Sequence, residues 1–143
     1  MENRYFSTKE AATLTGCTVR QLQYWREKGV IVPTVSATGT GRSIYYSSSQ
    51  LLELAVMEYW LSLGLTFEVA AGMLLELKEK EPDLGSFQQT RRFMLCGQEK
   101  RRLELREFNR EGAIASLDQG QAVIPLWLDR LEQQLKDSLK RVQ

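Results

Sequence analysis

The polar and cationic side chains of residues 18–29 are the ones in this chain whose types and spacing best define a chemistry. The apolar residues Val19, Leu22 and Trp25 recur every third position, which predicts a short amphipathic helix with one apolar face. The other faces carry hydrogen-bond donors and cations, namely Arg20, Gln21, Gln23, Tyr24, Arg26 and Lys28. Such a surface suits a phosphate backbone and the edges of bases. The alternative is an ordinary surface helix whose charges interact only with water.

Catalytic and metal-binding chemistry is poorly represented. The chain has two cysteines, Cys17 and Cys96, and no histidine. Neither cysteine has a nearby Cys or His, so no metal site and no cofactor are expected. The lack of histidine also removes most acid–base and nucleophile–base pairs, so we do not expect an enzyme. Both cysteines are expected to be structural thiols, with a redox role for Cys96 as the alternative.

Composition indicates a folded protein of one domain or two small ones. Of the 143 residues, 43% are hydrophobic and 26% are charged. No apolar run approaches the roughly 18 residues that span a membrane, and the N-terminus lacks the apolar segment of a secretion signal. We therefore expect a cytoplasmic protein with no membrane partner. The net charge is +1, but residues 51–83 carry seven acidic residues against two basic ones, which leaves the flanking segments mildly basic.

Two short helices joined by a glycine turn precede and include the polar segment. Ser7 or Thr8 can cap a first helix, and Ser7 has Glu10 three residues on, which is the spacing of a capping box. Gly16 can take the left-handed conformation that ends a helix, and Thr18 is a good N-cap for the second. The pattern predicts a helix-turn-helix, with the second helix entering a DNA groove.

A hairpin is predicted directly after the second helix. Residues 30–33 are apolar and extended before a proline, and residues 44–46 are typical of a strand. The intervening loop contains Arg42, which can enter a minor groove or meet phosphates. The alternative for Arg42 is a solvated loop arginine.

The remainder predicts two apolar helices, at residues 51–61 and from residue 66, and then a different module. Residues 92–96 and 103–108 are typical of strands, residues 111–117 of a short helix and residues 122–124 of a third strand. The fold class is therefore mainly α with an α+β part. We divide the chain into a winged helix-turn-helix (1–82), a small α+β module that is a possible effector or interaction region (83–124) and a terminal helix (125–143).

The terminal helix carries an apolar stripe with coiled-coil-like spacing. Its members are Leu128, Leu131, Leu135, Leu139 and Val142. At about two heptads this helix is too short to be stable alone, so the stripe must pack on its own chain or on a second copy. We favour a homodimer, because a two-fold DNA site requires a two-fold protein.

Residues 5–80 resemble the DNA-binding domain of the MerR family of bacterial transcription regulators. The resemblance rests on FSTKEAA (6–12), LTG (14–16), VRQLQYW (19–25), Gly29, GRSIYYS (41–47) and LGLT (63–66). It implies a winged helix-turn-helix and a homodimer that binds pseudo-palindromic promoter DNA. Many members activate transcription by distorting an overlong promoter spacer, so RNA polymerase is a further expected partner. The long dimer helix of the family is not expected here, because Pro82 and Gly85 interrupt it.

The resemblance implies a set of DNA-contacting residues. Thr18, Arg20 and Gln21 match positions that face the major groove, and Tyr24 and Arg26 match positions near phosphates. The full set that we predict is Thr8, Thr18, Arg20, Gln21, Gln23, Tyr24, Arg26, Arg42, Ser43 and Tyr45. Gln23 departs from the arginine common in the family, which indicates a different specificity. Metal-sensing members of the family use cysteines near the end of the dimer helix; no such cysteines are found here, so metal sensing is not carried over.

The function predicted from sequence is a sequence-specific, dimeric transcription regulator that binds double-stranded DNA. One alternative is a DNA-architectural or recombination-accessory protein, such as an excisionase, on the same winged fold. Those proteins are usually little more than the winged unit, and the added 60 or so residues argue against this reading. A purely protein-binding scaffold is the second alternative.

Overall fold

The structure is a computed structural model that describes residues 4–36, 44–84, 91–99 and 102–142. Six helices and six strands occur in these ranges. In chain order they are β1 (Tyr5–Ser7), α1 (Thr8–Thr15), α2 (Val19–Glu27), β2 (Val35–Ser36), β3 (Ile44–Ser47), α3 (Ser48–Ser62), α4 (Phe67–Lys80), β4 (Arg92–Gly97), β5 (Glu104–Glu107), α5 (Arg110–Asp118), β6 (Ala122–Trp127) and α6 (Leu128–Val142). The mainly α, α+β fold class is confirmed.

Helix α1 begins and ends as the sequence predicted. The Ser7 hydroxyl accepts a hydrogen bond from the Glu10 backbone N–H at 3.1 Å, and the Glu10 carboxylate accepts one from the Ser7 N–H at 2.9 Å. Gly16 ends the helix with φ 81°, in the left-handed region that favours glycine. Because both signals act over three or four residues, they are readable before any tertiary contact is known.

The small sheet of the N-terminal part differs from the predicted two-stranded hairpin. Its order is β1-β3-β2, with Phe6 opposite Tyr46 and Val35 opposite Tyr45. Strand β1 was not predicted, because three residues carry no pattern and their partner lies about 40 positions away. The strand predicted at residues 30–33 is wrong, and β2 begins at Val35 instead. Pro33 has no N–H for a strand ladder, and the Val32 carbonyl accepts a hydrogen bond from the Gln50 side chain instead.

Helix α3 is the centre of the core. Every residue from 51 to 57 is buried, because α1, α4 and α6 all pack against this helix. Buried Glu53 forms an ion pair with Lys78 of α4 at 3.3 Å. Burial raises the pKa of Glu53, and the ammonium of Lys78 opposes that shift. The sequence predicted a wide apolar face for this helix. In the structure the helix is buried on nearly all of its sides.

The C-terminal strands form a second antiparallel sheet of order β5-β4-β6. Along β4, Phe93 and Leu95 point into the same hydrophobic cluster as the core of the first 82 residues, whereas Met94 and Cys96 face Ala113 of α5. One hydrophobic cluster thus contains residues from all three of the segments into which the sequence was divided. The three segments therefore share a core.

The terminal helix begins at Leu128, three residues later than predicted. Pro125 lies in β6 opposite Met94, in a strand at the edge of the described sheet, where a missing N–H is tolerated. Leu128, Leu135 and Leu139 are 0%, 2% and 7% exposed within their own chain.

Within one chain, Leu128, Leu135 and Leu139 belong to the core formed with α1, α3 and β4, and the partly buried Leu131 packs against it. The role of the stripe in a dimer interface stays a prediction. The side chain of Val142 lies outside the described part of the chain.

Candidate nucleic-acid interface

The N-terminus of α2 is held by a reciprocal pair of hydrogen bonds. The Thr18 hydroxyl accepts from the Gln21 backbone N–H at 3.0 Å, and the Gln21 side-chain oxygen accepts from the Thr18 N–H at 2.9 Å. Thr18 retains its hydroxyl proton and Gln21 retains its amide NH₂ group for an external partner. The cap therefore orients two of the predicted base-reading side chains as donors at the tip of the helix.

The apolar side of α2 is narrower than predicted. Leu22 and Trp25 are 0% and 2% exposed, whereas Val19 is 41% exposed. The prediction that Val19 points inward is wrong, because it stands in the first turn, at the edge of the Leu22–Trp25 face. Sequence reasoning missed Val19 as a surface residue. The signal that could have found it is its place directly after the N-cap, where a recognition helix meets bases.

The cations of α2 remain available to a partner. Arg20 is exposed and Arg26 is half-buried. Within the described ranges, Arg20, Arg26 and Lys28 form no ion pair with an acidic side chain. Gln23 is exposed beside them. Positive charge on this face is therefore not neutralised by the described neighbours.

Tyr24 is fixed in place by residues from two directions. Its ring meets the ring of Phe67, the first residue of α4, with centroids 4.9 Å apart and planes at 63°. The Lys28 ammonium lies 5.5 Å from the centroid of the Tyr24 ring. Tyr24 is still 42% exposed. The ring is thus oriented by α4 and remains accessible on the recognition surface.

The first sheet is anchored by Gln50, a residue that sequence reasoning did not single out. Its side-chain oxygen accepts hydrogen bonds from the Ser47 N–H at 3.0 Å and from the Thr34 N–H and hydroxyl at 3.1 and 2.7 Å. Its NH₂ group donates to the Val32 carbonyl. The only sequence signal was a capping-box spacing from Ser47, which reveals one of these four bonds. Gln50 joins the start of α3 to the segment that enters β2.

Of the remaining predicted DNA contacts, Thr8 and Tyr45 lie in the described part of the chain. Tyr45 on β3 is 37% exposed, and its neighbour Tyr46 is fully buried. Burial raises the pKa of Tyr46, which the nearby charge of Arg26 opposes. Thr8 is half-buried at the start of α1. Arg42 and Ser43, the predicted tip contacts, lie outside the described residues.

The two cysteines are both buried and unpaired. The Cys17 thiol donates to the Leu54 carbonyl at 3.6 Å, and burial raises its pKa to about 11. In the described part of the chain, no three Cys, Asp or Glu residues lie together in a way that could hold a metal ion. Among the same residues, no helix is long and apolar enough to cross a membrane.

A helix-turn-helix followed by a short antiparallel sheet, with a polar and cationic outer helix, is the architecture of winged helix-turn-helix DNA-binding proteins. Comparison with known protein families also identifies a helix-turn-helix protein. Residues 6–77, just over half of the chain, match the family described as MerR HTH family regulatory protein. The chain therefore belongs to the MerR family. No curated protein matches the chain significantly.

Proposed function

We propose that this protein is a sequence-specific transcription regulator that binds promoter DNA as a homodimer. The observation that carries the proposal is the exposed donor face of α2, oriented by the Thr18–Gln21 cap and by the contact of Tyr24 with Phe67. A helix with these features can present fixed donors to base edges in a major groove. Membership of a family of regulatory proteins supports the same reading.

The side chains divide into two roles on geometric grounds. Thr18, Arg20 and Gln21 stand at the N-terminal end of the helix, so we assign them to base edges, with Arg20 as the residue suited to guanine. Exposed Val19 in the same turn suits the methyl group of thymine. Tyr24 and Arg26, further along the helix, are assigned to phosphates, which position the helix without reading sequence.

Gln23, Thr8, Tyr45, Arg42 and Ser43 complete the proposed interface. Gln23 is exposed on α2, where its amide can read adenine. Thr8 on α1 and exposed Tyr45 on β3 are assigned to backbone contacts. Arg42 and Ser43 are assigned to the wing from sequence alone.

The homodimer is inferred from the symmetry of DNA sites. Two recognition helices read a pseudo-palindrome when they lie about 34–36 Å apart, one turn of the double helix. Leu128, Leu135 and Leu139 are buried within the chain, so in this proposal the surface that joins two copies includes residues beyond these three leucines. Contact with RNA polymerase at the promoter is part of the proposal through the family's mode of activation.

Selection of bound fragments from the source genome, followed by footprinting, tests the function. We expect protected sites in promoters, with two half-sites about 10 base pairs apart. Arg20→Ala should weaken binding by about 1–3 kcal/mol and relax the preference at one base position. Arg110→Ala, which removes an exposed arginine of α5, is the matched control and should leave affinity unchanged.

Two results would contradict the proposal. Equal binding by the wild type and Arg20→Ala on every selected fragment would remove sequence-specific recognition by α2. Protection confined to recombination sites would favour the excisionase-like alternative. Sedimentation of the free and DNA-bound protein decides the number of copies per site.

A further inference from the structure

An open cleft of about 450 Å³ lies between helix α6 and the turn of the helix-turn-helix. One wall is the end of α1 and the turn, with Thr13, Thr15 and Gly16. The other wall is α6, where Gln134, Ser138 and Arg141 follow one another at intervals of four and three residues and so share one face. The cleft therefore joins the chain's last helix to its DNA-reading unit.

The cleft lies where a DNA backbone would pass. Gly16 is two residues from Thr18, so their Cα atoms are at most about 7 Å apart. In helix-turn-helix complexes the first helix crosses the backbone while the tip of the second meets the bases. Hence a phosphate that flanks the groove read by α2 would lie beside the end of α1. This step rests on the DNA-binding function proposed above.

The hydrogen-bond donors on the α1 wall of the cleft are already used within α1, which leaves the donors of α6 for a phosphate. The Thr13 hydroxyl donates to the Lys9 carbonyl at 3.0 Å, and the Thr15 hydroxyl donates to the Ala11 carbonyl at 2.7 Å. The Gly16 N–H donates to the Ala12 carbonyl at 3.0 Å. The α1 wall therefore has its protons already committed within its own helix.

Arg141 is the charged group among the α6 donors. It is exposed, and within the described residues it forms no ion pair with an acidic side chain. The acidic group on the facing side is Glu58 of α3, whose carboxyl carbon lies 3.9 Å from the position that a Cβ on Gly16 would take. An anion in the cleft consequently needs a cation to offset Glu58, and the Arg141 guanidinium supplies it.

We propose that α6 extends the DNA interface, with Arg141 contacting a phosphate of the DNA backbone beside the α1–α2 turn and Gln134 and Ser138 donating in the same cleft. The contact is independent of sequence, because every phosphate presents the same oxygens. It also gives α6 a function besides completing the core. Since Leu135 and Leu139 are buried on the adjacent face, the packing that holds the fold together also positions the phosphate contact.

Fluorescence anisotropy with two labelled duplexes tests the proposal. One duplex carries a site selected as described above, and the other is a random sequence of the same length. Arg141→Ala should weaken binding to both by the same factor, about fivefold at ~0.15 M salt, and should lower the slope of log affinity against log salt by about 1. Arg141→Lys should restore most of the affinity.

Lys140→Ala is the matched control, because it removes the same charge from the same turn of α6 but lies about 100° round the helix from Arg141. Equal effects of Lys140→Ala and Arg141→Ala would overturn the proposal in favour of general attraction by charge. A change in the dimerisation constant without a change in DNA affinity would also overturn it, in favour of a contact between copies. If the wild type binds and Arg20→Ala weakens it while Arg141→Ala has no effect, only the role of α6 fails. If the wild type binds no duplex, the DNA-binding function itself fails.

Discussion

The rings of Tyr24 and Phe67 meet edge to face, with their centroids 4.9 Å apart. This contact joins the recognition helix to the first residue of α4, which is 43 positions further along the chain. Because Tyr24 is half exposed and Phe67 half-buried, α4 acts as a support for a side chain on the binding surface. The orientation of the surface therefore depends on a helix that itself carries no predicted DNA contact.

Removal of the Phe67 ring should weaken DNA binding without a direct contact being lost. An edge-to-face pair contributes about 0.5–1.5 kcal/mol, which is the most that reordering of Tyr24 on binding can cost, so Phe67→Ala should lower affinity by at most roughly 12-fold. Phe67→Leu, which keeps apolar volume against the core, separates loss of the aromatic pair from loss of packing. Anisotropy titrations well below the unfolding midpoint measure the effect. Unchanged affinity in Phe67→Ala, beside a clear loss in Tyr24→Ala, would show that Tyr24 needs no support.

Replacement of Gln50 should loosen the first sheet, β1-β3-β2. Gln50→Ala removes the four hydrogen bonds to Ser47, Thr34 and Val32, and we expect a loss of about 1–3 kcal/mol in the free energy of unfolding. Gln50→Glu keeps the acceptor for Ser47 and Thr34 but cannot donate to the Val32 carbonyl, so its loss should be smaller. Urea denaturation of the three proteins ranks them. Equal losses for Glu and Ala would place the main contribution at the Val32 bond, which both variants lack.

Truncation of Leu135 should destabilise the single chain. Leu135 is 2% exposed, and Leu→Ala at such sites costs about 2–5 kcal/mol. Leu75→Ala is the control, because Leu75 is 62% exposed and its truncation should cost little. Thermal unfolding at several protein concentrations distinguishes burial of the leucine stripe of α6 within one chain from its burial between two copies. A Leu135→Ala deficit in Tm that grows on dilution would mean that the side chain is buried between copies.

The Cys17 thiol should stay protonated and unreactive in the folded protein. Its pKa is raised from the ordinary 9.0 to about 11 by burial, with Glu58 adding to the shift and the Thr15 hydroxyl opposing it. Between these two values the unfolded chain loses the thiol proton first, so stability present below pH 9 is lost as pH rises towards 11. Cys17→Ala lacks this loss.

Two measurements check the behaviour of Cys17. Iodoacetamide at pH 8, followed by peptide mass analysis, should label Cys17 only after unfolding. Between pH 8 and pH 10, the free energy of unfolding of the wild type should fall relative to that of Cys17→Ala. Rapid labelling of the native protein would show that the thiol is neither buried nor raised in pKa.

Much of the binding unit was predictable because its signals are local. The Ser7–Glu10 and Thr18–Gln21 pairs act across three residues, and Gly16 ends α1 by its own backbone conformation. The strands and the short helix of the C-terminal part were also predicted close to their observed bounds. The strand at residues 103–108 alternates between apolar and polar side chains, which is a property of neighbouring residues.

The errors concern residues whose environment is supplied from far along the chain. The pairing of β1 with β3 and the three bonds of Gln50 to Thr34 and Val32 depend on partners that no short window contains. Pro125 was assigned to a helix start by a rule for isolated helices, whereas the edge of a sheet accepts it equally well. Spacing alone does not distinguish these environments.

The sequence by itself determined that residues 7–28 form two capped helices with a polar outer face, since helix caps and helical periodicity are local and repeat every few residues. The same is true of the leucine stripe of α6, whose amphipathic period is unmistakable. Only the tertiary structure decided what the stripe packs against. The free energy of burying a leucine is the same whether the apolar partner belongs to its own chain or to a second copy, so no pattern within the helix distinguishes them. The positions of α1, α3 and β4 around Leu128, Leu135 and Leu139 decide in favour of the chain itself.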